Sequence, residues 1–176
     1  HANSAVRHER FKQMHAYAIV RQLKAEGKIG HMGMSFHDKA RVLDKILTEV
    51  PELEFVQLQI NYVDWDDLNV QSRKCYEVCK KHGKPVTVME PVKGGTLVNL
   101  PEAALKEMTT GSPASYAIRY AAGLSEVCMV LSGMSNLEQM QDNISFMKDF
   151  KKLSFDEEQT IERVRSIYQA QNRIPC

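Results

Sequence analysis

The sequence predicts an α/β fold of parallel strand-helix units, and three observations carry that prediction. Four short apolar or β-branched runs, near residues 28–35, 55–61, 86–90 and 127–131, recur at intervals of roughly 30 residues. Each is followed by a stretch of helical periodicity that opens on a capping residue or closes on glycine. In the second run, Val56, Leu58 and Ile60 point one way while Gln57, Gln59 and Asn61 point the other. Strand-helix alternation implies a sheet covered on both faces. A row of amides inside such a sheet needs a wet interior or a polar ligand, since an unpaired buried amide costs about 1–3 kcal/mol. A barrel lumen opening into a site meets that need. An edge strand that shows its amides to water, as in an open flavodoxin-like sheet, is the alternative.

The elements follow in order. Residues 7–26 read as one helix, with Phe11, His15, Ala18 and Gln22 along one side and Gly27 as its stop. Strand 28–35 places Ile29, His31, Gly33 and Ser35 on one face, so His31 is expected in the lumen, with Met32 and Met34 on the other face. Asp38 is expected to cap a helix that runs to about Val50 on a stripe of Val42, Leu43, Ile46 and Leu47. A helix over 67–82 stops at Gly83. Val86-Thr87-Val88-Met89 is a buried strand ended by Pro91, and it delivers Glu90, Lys93, Gly94 and Gly95 at its C-terminal end. Glycines there allow a sharp turn and a close backbone approach to a ligand, as at the ligand end of an α/β sheet or barrel. A plain turn is the simpler reading of the pair. Pro101 starts a short helix, and Ser112-Pro113 starts a longer one ended by Gly123. The capping boxes Ser135-x-x-Glu138 and Ser154-x-x-Glu157 open two more, to about Lys148 and Gln171. Four units do not close an eight-stranded barrel. The chain is therefore either an open sheet or half of something larger.

Composition narrows the function classes. With 176 residues, 43% hydrophobic and 26% charged, the chain reads as soluble, globular and a single domain over 1–176. A net charge of +1 without runs of like charge argues against a nucleic-acid partner. No apolar run reaches the roughly 20 residues of a membrane span, and no signal peptide is visible in a chain that begins at His1. Of Cys75, Cys79, Cys128 and Cys176, none forms a Cys-x-x-Cys pair, so reduced cytoplasmic thiols are the expected state.

Four stretches then carry a resemblance. They are Lys24-Ala25-Glu26-Gly27-Lys28-Ile29-Gly30-His31-Met32-Gly33-Met34-Ser35, Gln57-Leu58-Gln59-Ile60-Asn61-Tyr62, Met89-Glu90-Pro91-Val92-Lys93-Gly94-Gly95, and Ser132-Gly133-Met134-Ser135 with Asn143. In order and spacing they resemble the aldo/keto reductase family, and they match the C-terminal half of its (β/α)8 TIM barrel, as four parallel strand-helix units plus a C-terminal helix. Asn172-Arg173-Ile174-Pro175-Cys176 resembles the junction where a subgroup of that family begins a ferredoxin-like [4Fe-4S] tail. That makes Cys176 the candidate metal ligand, although one thiolate is not a cluster site.

The resemblance implies an oxidoreductase that uses NADP or NAD to reduce a small-molecule carbonyl, an aldehyde or ketone, to an alcohol. A non-catalytic nucleotide-binding fragment or regulatory subunit is the alternative. Ser35 and Gln57 match the residues that bond the nicotinamide carboxamide, and Phe36 stands where many members carry Asn. Met89 matches an aromatic that stacks on the nicotinamide. Glu90 and Pro91 lead into Lys93, Gly94 and Gly95, which match the pyrophosphate loop. Ser132, Gly133, Met134 and Ser135 match the adenosine-phosphate segment at a helix N-terminus, and Asn143 matches the residue that holds the adenine. Gly133 and Gln139 stand where NADPH-selective members carry Lys and Arg. Of the family's catalytic Asp, Tyr, Lys and His, the first three match nothing here, and His1 resembles the fourth. Read by itself, His1 could equally be a tag remnant. Residues 62–68 are the nearest stretch that could line a substrate pocket, and strands 28–35 and 127–131 are expected to be interior strands of a closed barrel.

Overall fold

The structure is a computed structural model and describes residues 3–171. His1 and Cys176 lie outside the described residues. The elements run α1 (Ala5–Gln13), α2 (Ala16–Ala25), β1 (Gly33–Ser35), α3 (Ala40–Glu49), β2 (Phe55–Gln59), α4 (Ser72–Lys81), β3 (Val86–Met89), a 3-10 turn (Lys93–Gly95), α5 (Glu102–Leu105), α6 (Pro113–Ala122), β4 (Val127–Val130), α7 (Leu137–Met147) and α8 (Phe155–Gln171). The sheet is four-stranded in the order β1-β2-β3-β4. β1 pairs parallel with β2, and β2 with β3, so the predicted strand-helix units are present. Two compact units make up the chain: residues 1–60, 64–89 and 126–129, and residues 61–63, 90–125 and 130–176.

The first unit holds the strands. β2 alternates as expected: Val56 and Leu58 are buried, while Gln57 and Gln59 on the other face are half-buried. Leu43, Ile46 and Leu47 of α3 bury the stripe predicted for them, and Val42 beside them is half-buried. Both ends of that helix are set by geometry rather than by Asp38. Lys39 is the N-cap, and the Asp38 carboxylate instead accepts the N–H groups of Lys39 (2.8 Å) and Ala5 (2.8 Å). α4 starts five residues later than expected. Asp67 Oδ1 draws the N–H groups of Asn69 and Val70 into a turn, and Gln71 adopts φ 58°, which no continuous helix permits.

Two further expectations fail here because of partners further along the chain. The helix predicted over 7–26 breaks at His15, whose φ is 52°. Unbroken, it would hold residues 8 and 17 about 13.5 Å apart along its axis. With the break, the Tyr17 hydroxyl lies 2.8 Å from Nδ1 of the buried His8. The first strand covers only 33–35, and His31 is exposed instead of facing a lumen. Glu54 accompanies this change: its carboxylate gathers Lys24, His31 Nδ1 (2.8 Å) and the Met32 N–H (2.9 Å), while one backbone bond, from the Glu54 N–H to the Met32 carbonyl (2.7 Å), remains ahead of Gly33. Those bonds, Lys24 first, hold the Glu54 carboxyl down at about 2. Gly33 pairs with Phe55, and a Cβ there would sit 2.4 Å from the Phe55 ring, which accounts for the glycine.

The second unit packs α5, α6 and α8 around Tyr62, Leu97, Tyr116, Ile161 and Val164. Ser112 caps α6 by accepting the Ser115 N–H (3.1 Å), with Pro113 in its first turn, as the sequence predicts. At α7 the cap is Asn136, one residue beyond the expected Ser135, because Asn136 Oδ1 accepts the Gln139 N–H (2.9 Å). The box at α8 forms: Ser154 N–H reaches Glu157 Oε2 (2.8 Å), and Glu157 N–H reaches Ser154 Oγ (3.3 Å). Glu157 also receives both guanidinium nitrogens of Arg119, at 2.6 and 2.9 Å. Among the described residues no helix is long and apolar enough to cross a membrane.

The Arg119–Glu157 pair gives a pH prediction. Arg119 foremost holds the buried Glu157 carboxyl at about 2, below its ordinary 4.5. A depressed carboxylate contributes stability that is present above 4.5 and lost as pH falls towards 2. Glu157→Gln should lower stability at neutral pH by about 3 kcal/mol, the cost of stranding a buried partner. It should also flatten the stability-pH slope between 4.5 and 2, as read by urea denaturation across that range.

Candidate active site

Parallel pairing fixes the strand-end residues first. In register Ser35 sits opposite Gln57, Gln57 opposite Thr87, and Gln59 opposite Met89. Ser35 is buried, and its main chain is clamped from the outer side by Asn3. Asn3 N–H reaches Ser35 C=O at 2.6 Å, and the Asn3 carbonyl takes the His37 N–H at 2.9 Å. Asn3 is itself held by its side chain, which donates to the Tyr17 hydroxyl (3.0 Å) and to Met34 Sδ (3.3 Å). This bridge, Asn3 to Phe36 and parallel, adds a short step of ladder beside β1. Nothing in the residue pattern of 1–4 announces it. Phe36 is buried, so it contributes no polar group.

The amide row divides by partner. Gln59 Nε2 donates to Asp64 Oδ2 (2.7 Å). Asn61 is fully buried and satisfied, donating to the Glu90 carbonyl (3.1 Å) and accepting the Val63 N–H (3.2 Å). Among the described residues the Gln57 side chain hydrogen-bonds only the thioether of Met89, at 3.4 Å. A thioether is a weak acceptor, so a half-buried amide here keeps its oxygen and most of its donor capacity for something else.

The turn after β3 is built from left-handed backbone. Glu90 (φ 58°), Lys93 (φ 50°), Gly94 (φ 60°) and Gly95 (φ 91°) all lie in the region that costs a non-glycine residue about 1–2 kcal/mol. The Asn61 bond to the Glu90 carbonyl helps hold the strained entry, and Pro91 follows it. The N–H groups of Lys93 and Gly95 are taken by the carbonyls of Glu90 and Val92, each at 3.0 Å. The turn is therefore shaped by internal bonds, and those two N–H groups are committed within it.

At the start of α7 a second cluster forms. Asn143, buried, donates to Ser132 Oγ (2.7 Å), and Gln139 Oε1 accepts the Ser135 N–H (2.7 Å). Gly133, Met134 and Ser135 are exposed, and a Cβ on Gly133 would meet nothing within 4 Å. The structure thus brings Ser35, Gln57 and Met89 together on one face of the sheet, Glu90, Pro91 and Lys93 to Gly95 in one turn, and Ser132, Ser135, Gln139 and Asn143 at one helix start.

Other groups resolve into structural roles. Burial pushes the Cys75 and Cys79 thiols up to about 12, so neither is a thiolate, while Cys128 is exposed. His8, Glu9 and Glu49 could set ligand atoms within 4.8 Å of one another, but Lys12 (2.8 Å from Glu49) and Lys45 (3.1 Å from Glu9) already neutralise those carboxylates. Tyr62 is a core residue and not a pocket wall; its buried hydroxyl has no hydrogen-bond partner among the described residues.

Replacing Asn61 tests the support of the turn. Asn61→Ala removes one of the two bonds to the Glu90 carbonyl, strands the Val63 N–H and should cost about 2 kcal/mol. Urea denaturation reads the loss, and a cost below about 0.5 kcal/mol would mean that the left-handed turn holds itself.

The family model described as the aldo/keto reductase family matches residues 6–166. Comparison with curated protein sequences gives no match. Among solved structures, an aldo-keto reductase from Bacillus halodurans in its holo form superposes with TM-score 0.66 at 21% identity, covering 82% of this chain and 51% of its own. An aldo-keto reductase from Klebsiella pneumoniae, solved in complex with NADPH, gives TM-score 0.61 at 18% identity over 82% of this chain and 51% of its own. An aldose reductase from Giardia lamblia gives 0.61 at 19%, over 86% and 50%. The chain spans about half the length of these structures. With the family model running over nearly all of the strands and helices described above, this chain belongs to the aldo/keto reductase family.

Proposed function

We propose that this chain forms a single domain, the C-terminal half of a (β/α)8 barrel, in an enzyme that reduces an aldehyde or ketone with NADPH or NADH. The observation that carries the proposal is Gln57. Its amide projects from the middle of β2 between buried Ser35 and Met89, which close β1 and β3 at their C-terminal ends, and among the described residues the Met89 thioether is its one side-chain hydrogen-bond partner. That is the end where barrels of this class place their sites. The Klebsiella structure, of the same fold, was solved with NADPH.

The residues fit such a cofactor in chemistry. Ser35 and Gln57 offer a hydroxyl and an amide for a carboxamide, and the polarisable Met89 offers a surface for the nicotinamide ring. Lys93 supplies a cation, and Gly94 and Gly95 a close-approach backbone, for the pyrophosphate. Ser132 to Ser135, at the N-terminus of α7, favour an anion, and Asn143 offers an amide to the adenine. When bound, the nicotinamide supplies the hydride. His1 would face the reacting carbonyl, with Tyr, Asp and Lys contributed by the rest of the barrel, so that residues 1–176 alone would reduce no aldehyde. Buried, protonated Cys75 and Cys79 agree with a reducing cytoplasm. Cys176 would be the first cysteine of an iron-sulfur tail. A [4Fe-4S] cluster takes four cysteine ligands, so the residues present do not fit one and no step runs through it.

The test is a fluorescence titration of the whole protein with NADPH and NADH, followed by aldehyde-dependent oxidation of each. Gln139 and Gly133 leave a 2′-phosphate without a paired cation, so the two affinities should differ by less than a hundredfold, roughly 2.7 kcal/mol. A larger preference for NADPH would mean that another residue supplies the charge. Binding without turnover in the whole protein would favour a nucleotide-binding module over an enzyme.

A further inference from the structure

A cavity of about 340 Å3 lies in the strand-bearing unit, between loop 36–39 after β1 and the segment 69–75 that enters α4. It opens beside Leu58, on the face of β2 opposite Gln57, and of the amide row only Gln59 lines it. Its floor is apolar, formed by Phe36 and Leu58, both buried, and by half-buried Val70. Cys75 adds a neutral wall, since burial, and after it the charge of Asp38, pushes its thiol up to about 12.

Six polar residues line it, His37, Asp38, Lys39, Gln59, Asn69 and Ser72, and the Ser72 hydroxyl is spent on the Gln59 carbonyl (2.7 Å). Lys39 Nζ donates to the main-chain carbonyls of Asn69 (2.8 Å) and Leu68 (3.4 Å), and among the described residues no carboxylate pairs with it. An ammonium carries three N–H groups, so one remains after these two bonds. Asp38 lines the same cavity, but its two oxygens accept the N–H groups of Lys39 and Ala5. The Asn69 side-chain amide stands on the rim without a partner among the described residues. A cation tethered by two carbonyls over an apolar floor, with an amide donor beside it, favours a small anion that carries an apolar body. Charge-assisted hydrogen bonds are roughly twice as strong as neutral ones, so such a site separates a carboxylate from the amide of the same shape.

We propose that this cavity is a binding site for a small organic carboxylate, its anionic end on Lys39 and Asn69 and its body on Phe36, Leu58 and Val70. The assignment does not rest on the reductase reading, and cofactor binding can fail while the cavity binds, or the reverse. Benzoate and benzamide are the probes, titrated into the whole protein with the methyl resonances of Leu58 and Val70 followed by NMR. Benzoate should saturate with a Kd below about 1 mM, bind at least tenfold tighter than benzamide, and shift both methyl sets. Lys39→Met should bring benzoate down to the level of benzamide, and Lys39→Arg should keep most of the difference. If Lys39→Met does not fold, Asn69→Leu takes its place and should weaken benzoate at least threefold. The proposal is overturned if benzoate does not saturate, if the two probes bind alike, if the methyl groups do not move, or if the substituted protein binds benzoate as before.

Discussion

Strand β2 constrains the molecule more than any other element. It pairs on both sides, with β1 through Gly33 to Ser35 and with β3 through Val86 to Met89. One face is fully buried at Val56 and nearly so at Leu58, and burying such side chains contributes about 1.5–3 kcal/mol each. A slip of one residue would send those side chains to the polar face and the glutamines into the core. Because the slip is so costly, the position of Gln57 follows from packing on the opposite face. The site residues of β1 and β3 inherit their placement from the same register.

Around that sheet, carboxylates do the work that longer strands or helices would otherwise do. Glu54 ties the end of α2 and the segment before β1. Glu49 joins His8 and Lys12 from α1 to the end of α3. In the second unit Glu157 joins its own capping box to Arg119 on α6. Each accepts several donors at once, and each carboxyl is held at about 2 in consequence. These staples let short elements keep fixed ends, and fixed ends are what place polar groups at a strand terminus.

Much of this was legible in the residues. Short-range patterns decide which segments are strands and which helix faces are apolar, so the last three strands, the stripe on α3, the cap at Ser112 and the box at Ser154 appear where the pattern places them, and the first strand keeps only its final three residues. Strand register sets Ser35 opposite Gln57, so that pairing was legible in the same way, whereas Ser132 and Asn143 were singled out by the resemblance to the family. What failed depended on partners distant in sequence. Glu54 lies 23 residues from His31, and no local pattern reports that it will bond that histidine at the surface. The break at His15 is driven by Tyr17 reaching His8. The later start of α4 follows from an Asp67 turn that competes with helix, and the Asn3 bridge from a ladder that only the folded sheet creates.

The central claim is that the polar face of β2 addresses a ligand and is not a face tolerated for solubility. Gln57→Leu separates the two, because among the described residues Gln57 makes no strong side-chain bond whose loss would unfold the chain. Thermal melting and NADPH titration of the whole protein, before and after the change, read both quantities. The account predicts a melting temperature unchanged or raised and an NADPH affinity lower by at least tenfold, about 1.4 kcal/mol. Unchanged affinity in a stably folded Gln57→Leu protein would contradict it.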